Sequence, residues 1–192
     1  TSMAVTSCPE GPARDQHLPR QRQPELEHDY ARSPALGYEP AEETGFITCL
    51  AHGFPTPLAR WHFHDEYELH LITATSGKAF VGDWIGPFQP GHLVLCGPRL
   101  PHNWISMDMP AGGVAERDLV VQFEHGPIAH AAEAMPELAE VMALLERARH
   151  GVEFFGLGER AVQHFHAVKA ARGIQRLAAF CAYVGDLARC TD

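Results

Sequence analysis

The chain has 192 residues, 45% of them hydrophobic and 20% charged, with a formal net charge of −9 and a pI near 5.8. That length supports one well-cored domain with a modest extension, and the acidic balance excludes the basic footprint of a nucleic-acid binder. The five cysteines (Cys8, Cys49, Cys96, Cys181 and Cys190) include no C-x-x-C pair, which argues for a reducing compartment over a disulfide framework.

No apolar run approaches the ~18 residues that span a bilayer, and the polar N-terminus lacks a signal-peptide h-region. A cytoplasmic protein without membrane partners is expected. Residues 1–44 are rich in Pro, Gln, Arg and Glu and show no periodicity, so an extended or disordered N-terminal arm is expected there.

From 45 to 126 the texture changes to short alternating segments between turn residues. The expected strands are Phe46–Ala51, Leu58–His64, Tyr67–Thr73, Lys78–Val81, His92–Leu95, Asn103–Ser106 and Asp118–Phe123. Breaks are expected at Gly53 and Pro55, Asp65-Glu66, Ser76-Gly77, Gly86-Pro87, Pro90-Gly91, Gly97-Pro98 and Gly112-Gly113. Many short strands at close spacing imply a β-sandwich or barrel.

Beyond Pro127 the period becomes helical, so residues 127–192 form a helical segment of about three α-helices. Leu138, Val141, Met142, Leu145 and Ala148 mark one face of the first, which Gly151 ends. Glu159–Lys169 carries Ala161, Val162, Phe165 and Val168. Ile174–Arg189 carries Ile174, Leu177, Ala178, Cys181, Val184 and Ala188. Such stripes fill a core by default; the sharper reading is a homodimer seam, in which a charge at Leu177 or Leu145 yields monomers.

The chemistry is concentrated between Arg60 and Ser106. His62 and His64 stand two apart, so on one strand they share a face, opposite Trp61 and Phe63. A turn at Asp65-Glu66 then brings Glu68 close to that face from the neighbouring strand, and His102 approaches from a later strand behind Pro101. Three imidazoles and a carboxylate suit Zn, Fe, Ni, Co, Cu or Mn without distinguishing among them. Each piece has a plainer reading. A chain with thirteen histidines produces an H-x-H pair by chance, a histidine on a half-buried strand is usually a hydrogen-bonded pocket residue, and Glu68 has Arg60 or Arg99 as potential partners. Trp61, Lys78, Trp84, Arg99 and Trp104 lie near the motif and are candidates for a pocket mouth or for simple packing.

The segment His62-x-His64-x-x-x-Glu68, with Pro101-His102 later, resembles the two cupin motifs, which hold a metal inside a small jelly-roll barrel. It departs from them in the placing of its glycines, with Arg99 where a glycine is common. A narrower resemblance covers 46–192. Trp61 to Leu69, Val81-Gly82-Asp83, Phe88 to Leu95 and Gly97 to Trp104 are similar to the N-terminal sensing domain of AraC-type transcriptional regulators. That resemblance implies a mainly β, cupin-like barrel followed by dimerising helices, a small-molecule effector, and metal ligation by His62, His64, Glu68 and His102. It also implies a DNA-binding domain beyond Asp192, so DNA is an expected partner only through a region outside this chain. The alternatives are a metal-dependent cupin enzyme, such as an oxygenase or isomerase, and a binding module in which the site is structural.

Overall fold

The computed structural model of the protein describes residues 22–27, 32–40 and 45–190. Two five-stranded sheets face each other, and helices cover the outer face of one. The first sheet runs in the order β1 (Glu25–Leu26), β3 (His62–Phe63), β8 (His102–Ser106), β5 (Gly77–Val81), β6 (Trp84–Phe88). The second runs β10 (Val152–Phe154), β7 (Leu93–Cys96), β4 (Tyr67–Ile72), β9 (Val114–Phe123), β2 (Ile47–Phe54). All pairings are antiparallel except β1 with β3. The strands form two open sheets, and no closed barrel is found among the described residues.

Alternation along the second sheet builds two interiors. Tyr67, Leu69 and Leu71 of β4, with Leu119, Val121 and Phe123 of β9, meet a helical layer in one buried cluster. That layer comprises α1 (His125–Ala134), α2 (Ala139–Arg147), α3 (Gly158–Ala170) and α4 (Gly173–Ala188). Each buried aliphatic side chain there contributes roughly 1.5–3 kcal/mol by leaving water. On the opposite face, Ile72, Val94 and Cys96 pack with Ala79, Val81, Phe88 and Trp104 of the other sheet. Arg176, 5% exposed, clamps α4 to the sheet edge by bonding Glu39, the Ile47 carbonyl and the Val168 carbonyl.

The structure departs from the sequence expectations at particular places. Trp84–Phe88 is a strand although Gly86-Pro87 reads as a break. It lies at a sheet edge, where a residue without an N–H is tolerated, and Gly82 at φ 58 makes the tight connection from β5. The expected strand Leu58–His64 shrinks to His62–Phe63, and Leu58 instead packs with Tyr38, Leu50 and Val120. Among the described residues there are four α-helices where about three were expected, because α1 starts at His125 directly after β9.

Of the expected arm, residues 1–21, 28–31 and 41–44 lie outside the described residues, as does Cys8. The remainder is built into the fold: β1 pairs with β3, and Tyr38 and Glu27 are each 5% exposed. Val141, Leu145, Ala148, Ala161, Phe165 and Val168 fill the helix–sheet core. In α4 the buried face is Arg176, Phe180, Tyr183, Val184 and Leu187, so the stripe of Ile174, Leu177, Ala178 and Cys181 faces outward. No described helix is long and apolar enough to cross a membrane.

Candidate metal centre

The histidines meet because of strand register. His62 of β3 lies directly opposite His102 of β8, and a pair so placed on one face brings its side chains together. Their ring centroids are 4.6 Å apart. His64 falls just past the end of β3, where its carbonyl accepts a hydrogen bond from the Arg99 N–H at 2.7 Å. This fastens the β7–β8 loop beside the site. Arg99 adopts a left-handed conformation there, φ 61, at the position where the resemblance leads one to look for glycine. The Asp65-Glu66 turn does more than reverse the chain. It crosses from one sheet to the other, so Glu68 reaches the histidines across the interior rather than from an adjacent strand of the same sheet.

One ligand atom from each of His62, His64 and His102 lies within 4.8 Å of the others, and all three residues are buried. These three lie close enough to hold a metal ion. Each ring is held through Nδ1 by a main-chain carbonyl: His62 on Arg60 at 2.7 Å, His64 on Glu66 at 3.1 Å and His102 on Leu100 at 2.8 Å. A ring that donates from Nδ1 presents Nε2 as a lone pair in its neutral form. These outer hydrogen bonds are ones that metal-ligating histidines generally have; they leave Nε2 of neutral His62 and His102 as lone pairs, whereas His64 Nε2 is hydrogen-bonded to Glu68. His102 Nε2 is buried with no hydrogen-bond partner among the described residues.

Glu68 stands against two of the three rings. Its Oε2 is 2.8 Å from His64 Nε2 and 3.0 Å from Gln122 Nε2. Its Oε1 is 2.6 Å from His70 Nδ1 and 3.5 Å from His102 Nε2. The three buried imidazoles, one with an unpartnered nitrogen, fit a divalent transition metal. Glu68, the expected fourth ligand, lies beside them engaged by His64, His70 and Gln122 and is not one of the three that converge.

Behind Glu68 runs a charged network that the sequence reading missed. His70 is held between Glu68 and Asp118, with Nε2 2.5 Å from Asp118 Oδ1. Its ring stacks on Trp104 at 3.8 Å and 17°. Asp118 also takes two hydrogen bonds from the buried Arg117 guanidinium, and that guanidinium lies 4.3 Å over the Phe54 ring. Burial opposes charge on His70, but the two carboxylates outweigh it and raise its pKa to about 9. Burial would likewise lift Glu68 and Asp118; contacts with histidines, and for Asp118 also Arg117, hold both below the usual carboxylate range. His62 is pushed down to about 3 by burial and then by His102. For His64, burial works against protonation and Glu68 overcomes it, raising its pKa.

Strand parity, a signal present in the sequence, places these extra residues. His70 is two from Glu68, and Asp118 and Gln122 are four apart on β9, so each pair shares a face. Among the residues considered for a pocket mouth, Trp104 is 2% exposed and lines the interior cavity, whereas Trp84 is 40% exposed. Arg99 pairs with Asp65 at the surface, and Arg60 is 3.8 Å from Glu25, so neither pairs with Glu68. The cavity at the site is about 30 Å³, bordered by Glu27, Tyr38, His52, His62, Glu68 and Trp104 among others. That is room for about one water. Clefts of about 560 and 610 Å³ lie elsewhere, near Pro90-Gly91 and Gly156, and none of the four expected ligands lines them.

No model of a protein family and no curated protein matches the chain.

Proposed function

We propose that this chain is a metal-loaded sensing domain of the AraC-type class, in which His62, His64, His102 and Glu68 hold a divalent transition metal between two cupin-like sheets. The observation that carries the reading is the convergence of three buried imidazoles whose Nδ1 atoms are committed to main-chain carbonyls. Rings anchored in this way are oriented as metal-ligating histidines are. When bound, the metal supplies a Lewis-acidic point for an oxygen-donor ligand.

The chain's own residues support sensing over turnover. The interior beside the histidines admits about one water, and hydrogen bonds with His64, His70 and Gln122 hold Glu68 in place. A ligand entering such a space requires a rearrangement, and a ligand that binds two arrangements unequally shifts their populations. The outward stripe of α4, with Ile174 72% and Leu177 37% exposed, is the proposed homodimer seam. The net charge of −9 does not favour DNA contact by these residues themselves.

Elemental analysis after reconstitution with Zn(II), Ni(II), Co(II) or Fe(II) tests the reading. One metal per chain is expected, lost in His62→Ala and His102→Ala with the fold intact by circular dichroism. Wild-type protein without stoichiometric metal would make the cluster a pocket lining. Turnover in a substrate screen with Fe(II) and oxygen would replace the sensing reading with a metal-dependent enzyme.

A further inference from the structure

The N-terminal segment delivers one more carboxylate to the cluster. Glu25 N–H donates to the Trp61 carbonyl at 3.1 Å and Glu27 N–H to the Phe63 carbonyl at 2.8 Å, so this short stretch rides parallel along β3. Its two strand residues face solvent, but Glu27 turns inward and is 5% exposed. Glu27 Oε1 accepts a hydrogen bond from the Tyr38 hydroxyl at 2.5 Å, and Oε2 lies 3.2 Å from His62 Nε2. The nearest guanidinium nitrogens are farther away, Arg32 Nε at 3.8 Å and Arg60 Nη2 at 3.9 Å.

His62 Nδ1 donates to the Arg60 carbonyl, so in its neutral form the ring points a lone pair at Glu27. Two acceptors facing each other in a buried place repel unless a proton or a metal cation lies between them, so this contact is a place where a cation is held. Glu27 is within ion-pair distance of both guanidinium groups, but it lies nearer to His62, the ring that the metal reading already assigns as a ligand.

We propose that Glu27 is a further ligand of the metal centre and that it occupies the place where the site binds a small carboxylate from solution. The proposal rests on the metal reading and adds both the residue and the ligand class. Three features favour a carboxylate. Glu27 itself shows that the group fits; the Tyr38 hydroxyl is aimed at that position; and Arg32 and Arg60 border it with positive charge. The remaining space of about 30 Å³ admits no organic ligand beside Glu27. Binding is therefore a replacement of one carboxylate by another. β1 makes few backbone bonds and lies at a sheet edge, so its withdrawal leaves the helix–sheet core untouched.

The test uses the whole chain reconstituted with Co(II), whose visible absorption reports its ligands, and acetate as the probe. Glu27→Gln keeps the shape and an acceptor for Tyr38. It should still bind one Co(II), at least about tenfold more weakly and with an altered spectrum. Glu27→Ala should bind acetate saturably and recover a spectrum like that of the wild type, at a concentration at least tenfold below that which perturbs the wild type. Acetate added to wild-type protein should also speed amide exchange at 25–27, a readout that needs no variant. Unchanged Co(II) affinity and spectrum in Glu27→Gln would overturn Glu27 as a ligand. Indifference of both Glu27→Ala and wild type to acetate would overturn the carboxylate site. Failure of wild-type protein to bind Co(II) at all would instead overturn the underlying metal reading.

Discussion

The two faces of the second sheet are made by the same strands and obey different physics. Along β4, Tyr67, Leu69 and Leu71 enter the helix–sheet core, while Glu68 and His70 enter the space between the sheets. Along β9, Leu119, Val121 and Phe123 join the first group and Asp118 and Gln122 the second. The outer face is dry, and its stability scales with buried apolar area and close packing. The inner face holds carboxylates, imidazoles and a guanidinium out of water, so its stability depends on every charge having its partner. One face is held by apolar packing, and the other carries buried charges that hold one another in place.

Substitutions can break this contrast in graded ways. Leu145 is 1% exposed in the core, so it is not a seam residue. Leu145→Asp should cost more than about 4 kcal/mol, enough to abolish the cooperative thermal transition, because an unpaired charge has no partner there. On the charged face, Asp118→Asn leaves His70 and Arg117 without their shared carboxylate. A loss of about 3–5 kcal/mol is expected in urea unfolding; a loss below 1 kcal/mol would mean that the network is stabilised from elsewhere. Metal should strengthen the same face. At a free concentration about 1,000 times Kd, wild-type stability should rise by about 4 kcal/mol, while His102→Ala gains nothing in the same melt.

A smaller effect concerns pH. Burial, and then the charge on His70, pushes His92 down to about 4 from 6.5. The unfolded chain therefore takes up a proton between about pH 6.5 and 4 that the folded chain refuses. The stability contribution is fully present above pH 6.5 and declines as pH falls through that window. His92→Phe, in a nest with Trp84, Phe88 and Trp104, should flatten that decline by roughly 1–3 kcal/mol. Equal slopes for variant and wild type over pH 4–6.5 would refute it. The smallest change in stability is expected at the outward stripe of α4. Leu177→Asp should shift stability by no more than about 0.5 kcal/mol, yet convert dimers to monomers in sedimentation. An unchanged dimer would move the seam to another surface.

Much of the fold was legible where local pattern and final packing agree. Tyr67–Thr73 and Asp118–Phe123 are short β-branched or apolar-rich segments between turn residues, and the structure has strands there. Glu159–Lys169 repeats at helical spacing and α3 covers it. The short edge strands were not legible: Glu25–Leu26 and Val152–Phe154 have two and three residues, too few for a period, and exist because a neighbour offers backbone partners. In α4 the apolar stripe misled, since the buried face includes Arg176, whose charge is met by Glu39 from a distant segment.

The candidate site divides in the same way. The sequence by itself determined that His62 and His64 stand two apart, that Glu68 follows a turn, and that His102 begins a later strand, because spacing and turn chemistry are local. Only the tertiary structure decided that Glu68 answers from the opposite sheet, that His70 and Asp118 stand behind it, and that Glu27 closes on His62. Those relations depend on which sheet faces which and on strand register, and these are fixed by long-range packing of apolar faces rather than by any residue's near neighbours.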